Sequence, residues 1–178
     1  MIDDALAGLT LLTEEPVVWA DGQIRLRLRT YLGATAPPAE RLTSARALIF
    51  QGDAVLVQRD VGSRHILPGG RLAPGETPEQ TARREVLEET GWELGTLRPL
   101  GVLHYQHLTP RPSGYAYPYP DFYQVVYSAE ALLCRPSARL DDGHEIDSCL
   151  LPLEQVRALG LPHGQRLLLE AAVRLRRC

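Results

Sequence analysis

The sequence predicts an α+β protein with a mixed β-sheet, and three observations support that class. Segments with the alternation or the β-branched composition of strands precede and surround a few helical segments, without the regular strand–helix–strand repeat of a parallel fold. We find no internal repeat of fixed period. The length of 178 residues suits one core of about 150 residues with an appendage, or two very small domains.

The N-terminal part of the chain differs in composition from the remainder. Residues 17–29 hold an Asp-Gly dipeptide between two β-prone runs, a strong hairpin signal, and the second run alternates apolar residues with arginine. Residues 34–40 are rich in proline and predict a linker. We therefore expect an N-terminal extension, residues 1–41, and a main domain, residues 42–178.

The main domain begins with a predicted strand pair at residues 45–50 and 54–59. The stretch from Pro68 to Gly75 contains so many prolines and glycines that we expect no regular structure there. The later elements expected are strands at 97–108, 122–129 and 146–151 and helices at 153–159 and 165–177.

One helix has unusually clear start and stop signals. Thr77 can cap it, Pro78 suits the first helical position, and Gln80 completes a capping box. Gly91 is a natural stop. The sequence therefore predicts a helix from Pro78 to the residue before Gly91.

Composition excludes several classes of function. All 19 Lys+Arg residues are arginine, which excludes Schiff-base chemistry and a P-loop lysine, and the net charge of −3 gives no basic excess for a nucleic-acid partner. The three cysteines have neither the spacing of a metal motif nor the density of a secreted scaffold, so we expect reduced thiols. No apolar run approaches 18 residues and the start does not resemble a signal peptide. We expect a cytoplasmic protein without a membrane partner.

The predicted helix carries a concentrated negative charge. Residues 76–93 hold six glutamates against two arginines, and Glu85, Glu88 and Glu89 share one helix face within an arc of about 100°. Partly desolvated, each like-charge pair at ~5 Å costs roughly 3 kcal/mol. Arg84 lies four residues before Glu88 and can offset one of these charges. The alternatives are a solvated acidic face and a bound cation.

The chemistry of the ligands narrows the identity of such a cation. Carboxylate and carbonyl oxygens select hard divalent ions such as Mg²⁺ or Mn²⁺. Magnesium is seldom enclosed by protein ligands alone and typically bridges carboxylates to a substrate phosphate. The glutamates beside a glycine-rich loop therefore predict a metal site for a phosphate-containing substrate.

The segment from Gly70 to Trp92 resembles the Nudix box, G-x5-E-x7-R-E-U-x-E-E-x-G-U, where U is aliphatic. All seven fixed letters match, and chance agreement is on the order of 10⁻⁸ per starting position. The one departure is Trp92, where the family usually has an aliphatic residue. The resemblance extends over roughly residues 42–160 and leaves residues 1–41 unexplained.

The resemblance implies a fold, an activity and a set of site residues. Nudix proteins are α/β/α sandwiches with a mixed sheet, and they usually hydrolyse a nucleoside diphosphate linked to a further moiety. By this resemblance Glu85, Glu88, Glu89 and the carbonyl of Gly69 would bind Mg²⁺ or Mn²⁺. Two further residues, Glu76 and Arg84, would orient the glutamates.

The resemblance leaves the base that activates water open between a glutamate of the box and one from a later loop. Glu145 lies at a suitable place for the second, and the alternative is a surface acid in an acidic turn. The resemblance also suggests dimerisation through the N-terminal extension, as in some relatives.

Substrate-binding residues must come from outside the box. Tyr115, Tyr117 and Tyr119 lie among prolines and offer faces on which a nucleobase can stack, and the alternative is a stiff surface loop or a dimer contact. Candidate phosphate-binding residues, each with a solvated surface role as its alternative, are Arg46, Arg59, Arg64 and Arg71. For His104 and His107 we expect structural roles.

The resemblance favours a pyrophosphohydrolase acting on a small nucleotide-type substrate, such as a nucleotide sugar, a dinucleotide or a nucleoside triphosphate. Two other classes stay open. A ligand-sensing Nudix domain without catalysis usually carries a DNA-binding domain or a damaged box. A Nudix-fold isomerase of prenyl diphosphates needs a catalytic cysteine, which neither Cys134 nor Cys149 obviously provides.

Overall fold

The structure, a computed structural model, describes residues 6–60, 63–140 and 145–177, with the backbone alone at residues 145 and 146. The strands are β1 Thr10–Trp19, β2 Ile24–Leu32, β3 Leu42–Gln51, β4 Ala54–Asp60, β5 Ser63–His65, β6 Gly69–Arg71, β7 Trp92–Leu94, β8 Arg98–His107, β9 Asp121–Cys134 and β10 Glu145–Pro152. The helices are α1 Pro78–Thr90, α2 Leu153–Arg157 and α3 His163–Arg177. Among the described residues, no helix is both long and apolar enough to cross a membrane.

The strands form one mixed sheet, which confirms the predicted fold class. The order is β1-β2-β8-β9-β3-β4-β10, with β5 paired to β4, β6 to β3 and β7 to β9. β3 and β9 run parallel, whereas β3 pairs with β4 and with β6 in antiparallel fashion. The central position of β3 brings β6 and β9 to its two sides.

Helices cover both faces of this sheet, which gives an α/β/α sandwich. On one face Ala82 and Val86 of α1 pack against alanines and aliphatic residues of β3 and β9. On the other face the largest core cluster includes Val156 of α2 and Leu168 and Leu169 of α3, all fully buried. Alternate residues of the strands supply the two faces, as the pleat requires.

The N-terminal hairpin forms as predicted and is continuous with the main sheet. β1 pairs with β2, and β2 pairs in turn with β8. Leu26 of β2 is fully buried in the main core cluster, as the apolar face of the alternating run predicted. The Glu15 side chain accepts a hydrogen bond of 3.0 Å from the Gly164 amide at the start of α3. The hairpin therefore contacts both the sheet and the last helix.

Helix α1 begins and ends where the sequence predicts. The Thr77 hydroxyl accepts from the Gln80 amide at 3.2 Å, and the Gln80 side chain accepts from the Thr77 amide at 2.8 Å. Gly91 takes a left-handed conformation with φ 77° and donates its amide to the carbonyl of Leu87. This capping fixes the helix register and therefore the direction of its glutamates.

The expectation of no regular structure between Pro68 and Gly75 is wrong, because β6 lies inside that stretch. Gly69 has φ 136°, and a Cβ at this position would overlap the backbone of Ala45 and Arg46 in β3. The glycines thus permit a close strand pairing that a local pattern of breakers does not indicate. The short strands β5 and β7 were also not predicted.

Candidate active site

The three glutamates predicted to bind the metal lie on α1, and two of them, Glu85 and Glu89, contact β6. A Cβ on Gly70 would overlap the Glu85 carboxylate, so this glycine leaves the room that the carboxylate occupies. The Gly69 amide donates a hydrogen bond of 2.9 Å to Oε2 of Glu89. Capping of α1 and the glycines of β6 therefore place the carboxylates of Glu85 and Glu89 directly against β6.

Arg84 is the centre of a charge network beside these glutamates. Its Nη1 lies 2.9 Å from Glu85 and 3.0 Å from Glu88, and its Nε and Nη2 lie 2.7 and 2.9 Å from the two oxygens of Glu76. The sequence predicted one compensated charge, whereas the guanidinium contacts three carboxylates. The two additional contacts come from Glu85, the next residue along α1, and from Glu76, in the turn before the helix.

Glu76 is held as a carboxylate by this network. Its strongest stabilisation is the hydrogen bonding to Arg84, followed by donation from the Thr81 hydroxyl at 2.8 Å and from the Ala73 amide at 3.1 Å. These contacts lower the pKa of Glu76 from 4.5 to about 2. The same bonds to Glu76 raise the pKa of Arg84 above its ordinary value. Glu76 and Arg84 are therefore both charged at neutral pH.

The donor chemistry of the site fits a hard divalent ion. Arg84 uses Oε1 of Glu85 and Oε2 of Glu88, and each of these carboxylates has a second oxygen. Within the described ranges no three His, Cys, Asp or Glu side chains converge closely enough to enclose an ion. A closed cluster is not required for Mg²⁺, which commonly uses one or two carboxylates together with substrate phosphates.

The predicted arginines do not form one group. Arg46 donates from Nε to Gln124 at 2.7 Å and from Nη1 to the Leu67 carbonyl at 3.0 Å, so it supports the loop before β6. Arg59 and Arg64 are opposite each other on β4 and β5 and line a cavity of about 610 Å³. Arg59 also lies 3.9 Å from Asp147.

The predicted tyrosines lie on the face of the sheet opposite α1. Tyr117 packs on the buried Phe122 with ring centroids 5.1 Å apart, and its hydroxyl accepts from Arg71 at 2.7 Å. Tyr115 bonds to Nε2 of His107 at 2.6 Å. Tyr119 is 40% exposed, the highest value of the three.

His104 is fully buried, and its Nε2 lies 2.7 Å from Asp121. Burial lowers the pKa of His104 despite the nearby carboxylate. His107 is also buried. Both histidines therefore contact neighbouring side chains of the sheet and its loop, as their expected structural roles require.

Two further polar residues, Glu145 and Gln124, lie on β10 and β9. The backbone of Glu145 begins β10 and is opposite Asp60 of β4, but the Glu145 side chain lies outside the described part of the structure. Gln124 of β9, which the sequence motifs do not indicate, is buried beside Arg46 of β3. Its only sequence signal is a polar residue between aromatic and aliphatic neighbours in β9.

Comparison with known proteins agrees with this geometry. The family model described as "NUDIX domain" matches residues 40–172, three quarters of the chain, and the chain belongs to the Nudix family. A solved NUDIX hydrolase from Nitrosomonas europaea superposes with a TM-score of 0.57 and 21% identity, covering 75% of this chain and 88% of that chain. A Bacillus subtilis pyrophosphohydrolase superposes with a TM-score of 0.56 and 17% identity, covering 92% of this chain and 96% of that one.

Two curated relatives resemble this chain over a short segment each. An oxidized purine nucleoside triphosphate hydrolase from Danio rerio is 45% identical over 40 residues, 22% of this chain. A protein of Bacillus subtilis (strain 168), provisionally named as an 8-oxo-dGTP diphosphatase, is 53% identical over 36 residues, 20% of this chain. The chain matches about a quarter of the length of these relatives, 26% and 24%. The solved structures share the fold at low identity, so they define the fold alone.

Proposed function

We propose that this chain is a divalent-metal-dependent hydrolase that cleaves the pyrophosphate linkage of a nucleoside diphosphate derivative by attack of water on phosphorus. The observation that carries the proposal is the arrangement of Glu85, Glu88 and Glu89 on one side of α1, beside the glycines of β6 and the guanidinium of Arg84. An intact Nudix box on a Nudix fold supports it.

In this proposal Glu85, Glu88, Glu89 and the carbonyl of Gly69 hold Mg²⁺ or Mn²⁺. The ion, when bound, neutralises charge on the pyrophosphate and orients the groups that react. Arg84 keeps the carboxylates of Glu85 and Glu88 in place through its bonds of 2.9 and 3.0 Å, and Glu76 fixes Arg84. Such orienting partners commonly change activity 10- to 100-fold.

The base that accepts the proton of water is proposed to be a box glutamate or Glu145. Glu145 begins the strand that pairs with the end of β4, next to the cavity lined by Arg59 and Arg64. These two arginines and Arg46 are proposed to contact phosphate groups. For the nucleobase, Tyr115 and Tyr119 are proposed to provide ring faces. Tyr117, whose ring packs on Phe122 and contacts the Arg71 guanidinium, is proposed to contribute to substrate binding through Arg71.

The test is a panel of nucleotide sugars, dinucleotides and nucleoside triphosphates incubated with Mg²⁺ or Mn²⁺, with phosphate measured after phosphatase coupling. We expect release of two phosphorylated products from at least one class of substrate. Activity that persists in excess EDTA would contradict metal dependence. No activity with either ion would indicate a ligand-sensing domain instead. For Glu145→Gln, an unmoved pH–rate profile would exclude the base role.

A further inference from the structure

Arg71 differs from the neighbouring Arg84 in the contacts of its side chain. It follows Gly70, whose Cα lies against the Glu85 carboxylate. Even so, no carboxylate of the described residues lies within ion-pairing distance of the Arg71 guanidinium, which is exposed. Arg71 is therefore the residue next to a glycine that contacts Glu85, yet its guanidinium forms no ion pair with any described carboxylate.

The pleat of β6 explains this separation. Successive residues of a strand point to opposite faces of the sheet. Gly70 faces α1 and its glutamates, so the Arg71 side chain extends to the other face, where it meets Tyr117. β6 pairs with β3, and Arg71 is opposite Ser44 in that pairing. The strand thus separates a cluster of carboxylates from a single guanidinium.

Tyr117 fixes the direction of this guanidinium. Nε of Arg71 donates to the Tyr117 hydroxyl at 2.7 Å, and the guanidinium carbon lies 4.2 Å from the centre of the ring. The Tyr117 ring packs in turn on Phe122, which is fully buried. These contacts use Nε and one face of the guanidinium plane. The two Nη nitrogens, with four N–H groups, have no acceptor among the described residues.

We propose that the Nη edge of Arg71 binds a phosphate of the substrate that is not attacked, and that Tyr117 is the positioning residue that holds Arg71 for this contact. This inference rests on the proposed function and specifies its substrate class. The substrate then has at least two phosphates, one beside the glutamates and one at the exposed Nη edge of Arg71. A planar guanidinium with a free edge is suited to bidentate contact with phosphate oxygens.

The test compares kcat and KM of the wild type with those of Arg71→Ala, Arg71→Lys and Tyr117→Phe, on the substrate that the panel identifies. Loss of a charge-assisted contact predicts a KM about 10- to 100-fold higher for Arg71→Ala with kcat changed less than about threefold. Arg71→Lys recovers part of the loss, because it keeps the charge but not the plane. Tyr117→Phe raises KM by a smaller factor, since the ring stays and the hydroxyl is lost.

Arg166→Ala is the matched control for charge. Arg166 is an exposed arginine of α3 that contacts His163 at 2.9 Å, and its removal changes the net charge equally. KM is expected to stay within about twofold of the wild type. An unchanged KM in Arg71→Ala, or an equal rise in Arg166→Ala, would overturn the assignment of Arg71. A lowered unfolding temperature with unchanged KM would assign Arg71 and Tyr117 to packing alone.

A second measurement separates failure of this inference from failure of the proposed function. Binding of inorganic pyrophosphate is measured by calorimetry in EDTA, where no divalent ion contributes. Binding by the wild type that Arg71→Ala weakens about tenfold or more supports the phosphate site even in a chain that hydrolyses nothing. Activity on the panel with pyrophosphate affinity and KM both unaffected by Arg71→Ala would leave the hydrolase proposal intact and contradict the role of Arg71.

Discussion

Two arginines, 13 residues apart, lie on opposite faces of β6 and differ in every contact of their side chains. Arg84 contacts three carboxylates on the side of α1, all within 3.0 Å. Arg71 contacts an aromatic ring and its hydroxyl on the other side. The Arg84 guanidinium is therefore engaged in ion pairs within the protein, whereas the Arg71 guanidinium keeps its Nη edge available to a ligand.

The two sides of β6 therefore differ in how far apart in the sequence their contacting residues lie. The α1 face is organised by ion pairs between residues at most eight positions apart, Glu76 to Arg84. The opposite face, which we call the aromatic face, consists of Trp19, Tyr105, Tyr117 and Phe122, packed in pairs of rings. These four residues come from β1, from β8, from the loop between β8 and β9, and from β9. The aromatic face therefore forms only when these strands have come together in the sheet.

The largest effect is expected from Phe122→Ala on the aromatic face. Phe122 is fully buried and stacks with Tyr105 at 4.9 Å and with Tyr117 at 5.1 Å, so truncation leaves a cavity beneath both rings. We expect a loss of about 3–5 kcal/mol in the free energy of unfolding, measured by urea denaturation. Leu132→Ala, at a position 63% exposed, is the control and should change it by no more than about 0.5 kcal/mol.

The next largest effect is expected from Glu89→Gln on the α1 face. Glu89→Gln should lower kcat at least about 100-fold, or about 2.7 kcal/mol in activation free energy, because an amide cannot supply the charge that a divalent ion requires. The fold should persist, since the amide oxygen can still accept from the Gly69 amide. Circular dichroism and steady-state kinetics provide the two measurements. Glu93→Gln, which removes an exposed ion pair to Arg135, should retain activity, and an active Glu89→Gln would refute the metal site.

A smaller effect is expected from Arg84→Ala. The change leaves Glu76, Glu85 and Glu88 without their common cation, and for these partly exposed side chains we expect a loss of about 1–2 kcal/mol in unfolding free energy. Millimolar Mg²⁺ should recover part of that loss, because the ion supplies the missing positive charge. Urea denaturation with and without Mg²⁺ measures both effects.

Arg83→Ala is the control for that experiment. Its guanidinium bonds to the carbonyls of Leu94 and Gly95 and not to the carboxylates. Any loss of stability in this variant should be indifferent to Mg²⁺. Equal recovery of both variants by the ion would show that Mg²⁺ does not act through the glutamates that Arg84 contacts.

The smallest effect is the pH dependence carried by Glu76. The pKa of its carboxyl is lowered to about 2 in the folded state, below the ordinary value of 4.5. The stabilisation is therefore fully present above about pH 4.5 and is lost as the pH falls toward 2. Denaturation curves collected across this window should show a shallower decline for Glu76→Gln than for the wild type. Parallel declines would mean that Glu76 does not carry this pH dependence.

Local sequence was sufficient to predict much of the α1 face. The capping box of Thr77 and Gln80 and the stop at Gly91 define α1, and its register puts the three glutamates on one side. The Asp-Gly turn and the alternation of apolar residues with arginine were likewise sufficient to predict the N-terminal hairpin and its buried Leu26. These features depend on neighbours within about one helical turn or on the period of a strand.

Other features depend on contacts that no short pattern contains. β6 exists because β3 lies beside it, and the glycines that permit this pairing resemble a loop in the sequence. The contact between Arg71 and Tyr117 joins residues 46 positions apart. The sequence indicates each of the two as a candidate binding residue, but only the sheet topology brings them into contact.

The hydrogen bond from Gly164 to Glu15 spans 149 residues and joins the first strand to the last helix. β8, the partner of β2, begins at Arg98, 66 residues after β2 ends at Leu32. At roughly 5–20 residues per second, the hairpin leaves the ribosome several seconds before β8 can pair with its open edge. The aromatic face is therefore completed only after β9 has been made, and the newly made chain must keep the unpaired edge of β2 from aggregating until β8 is available.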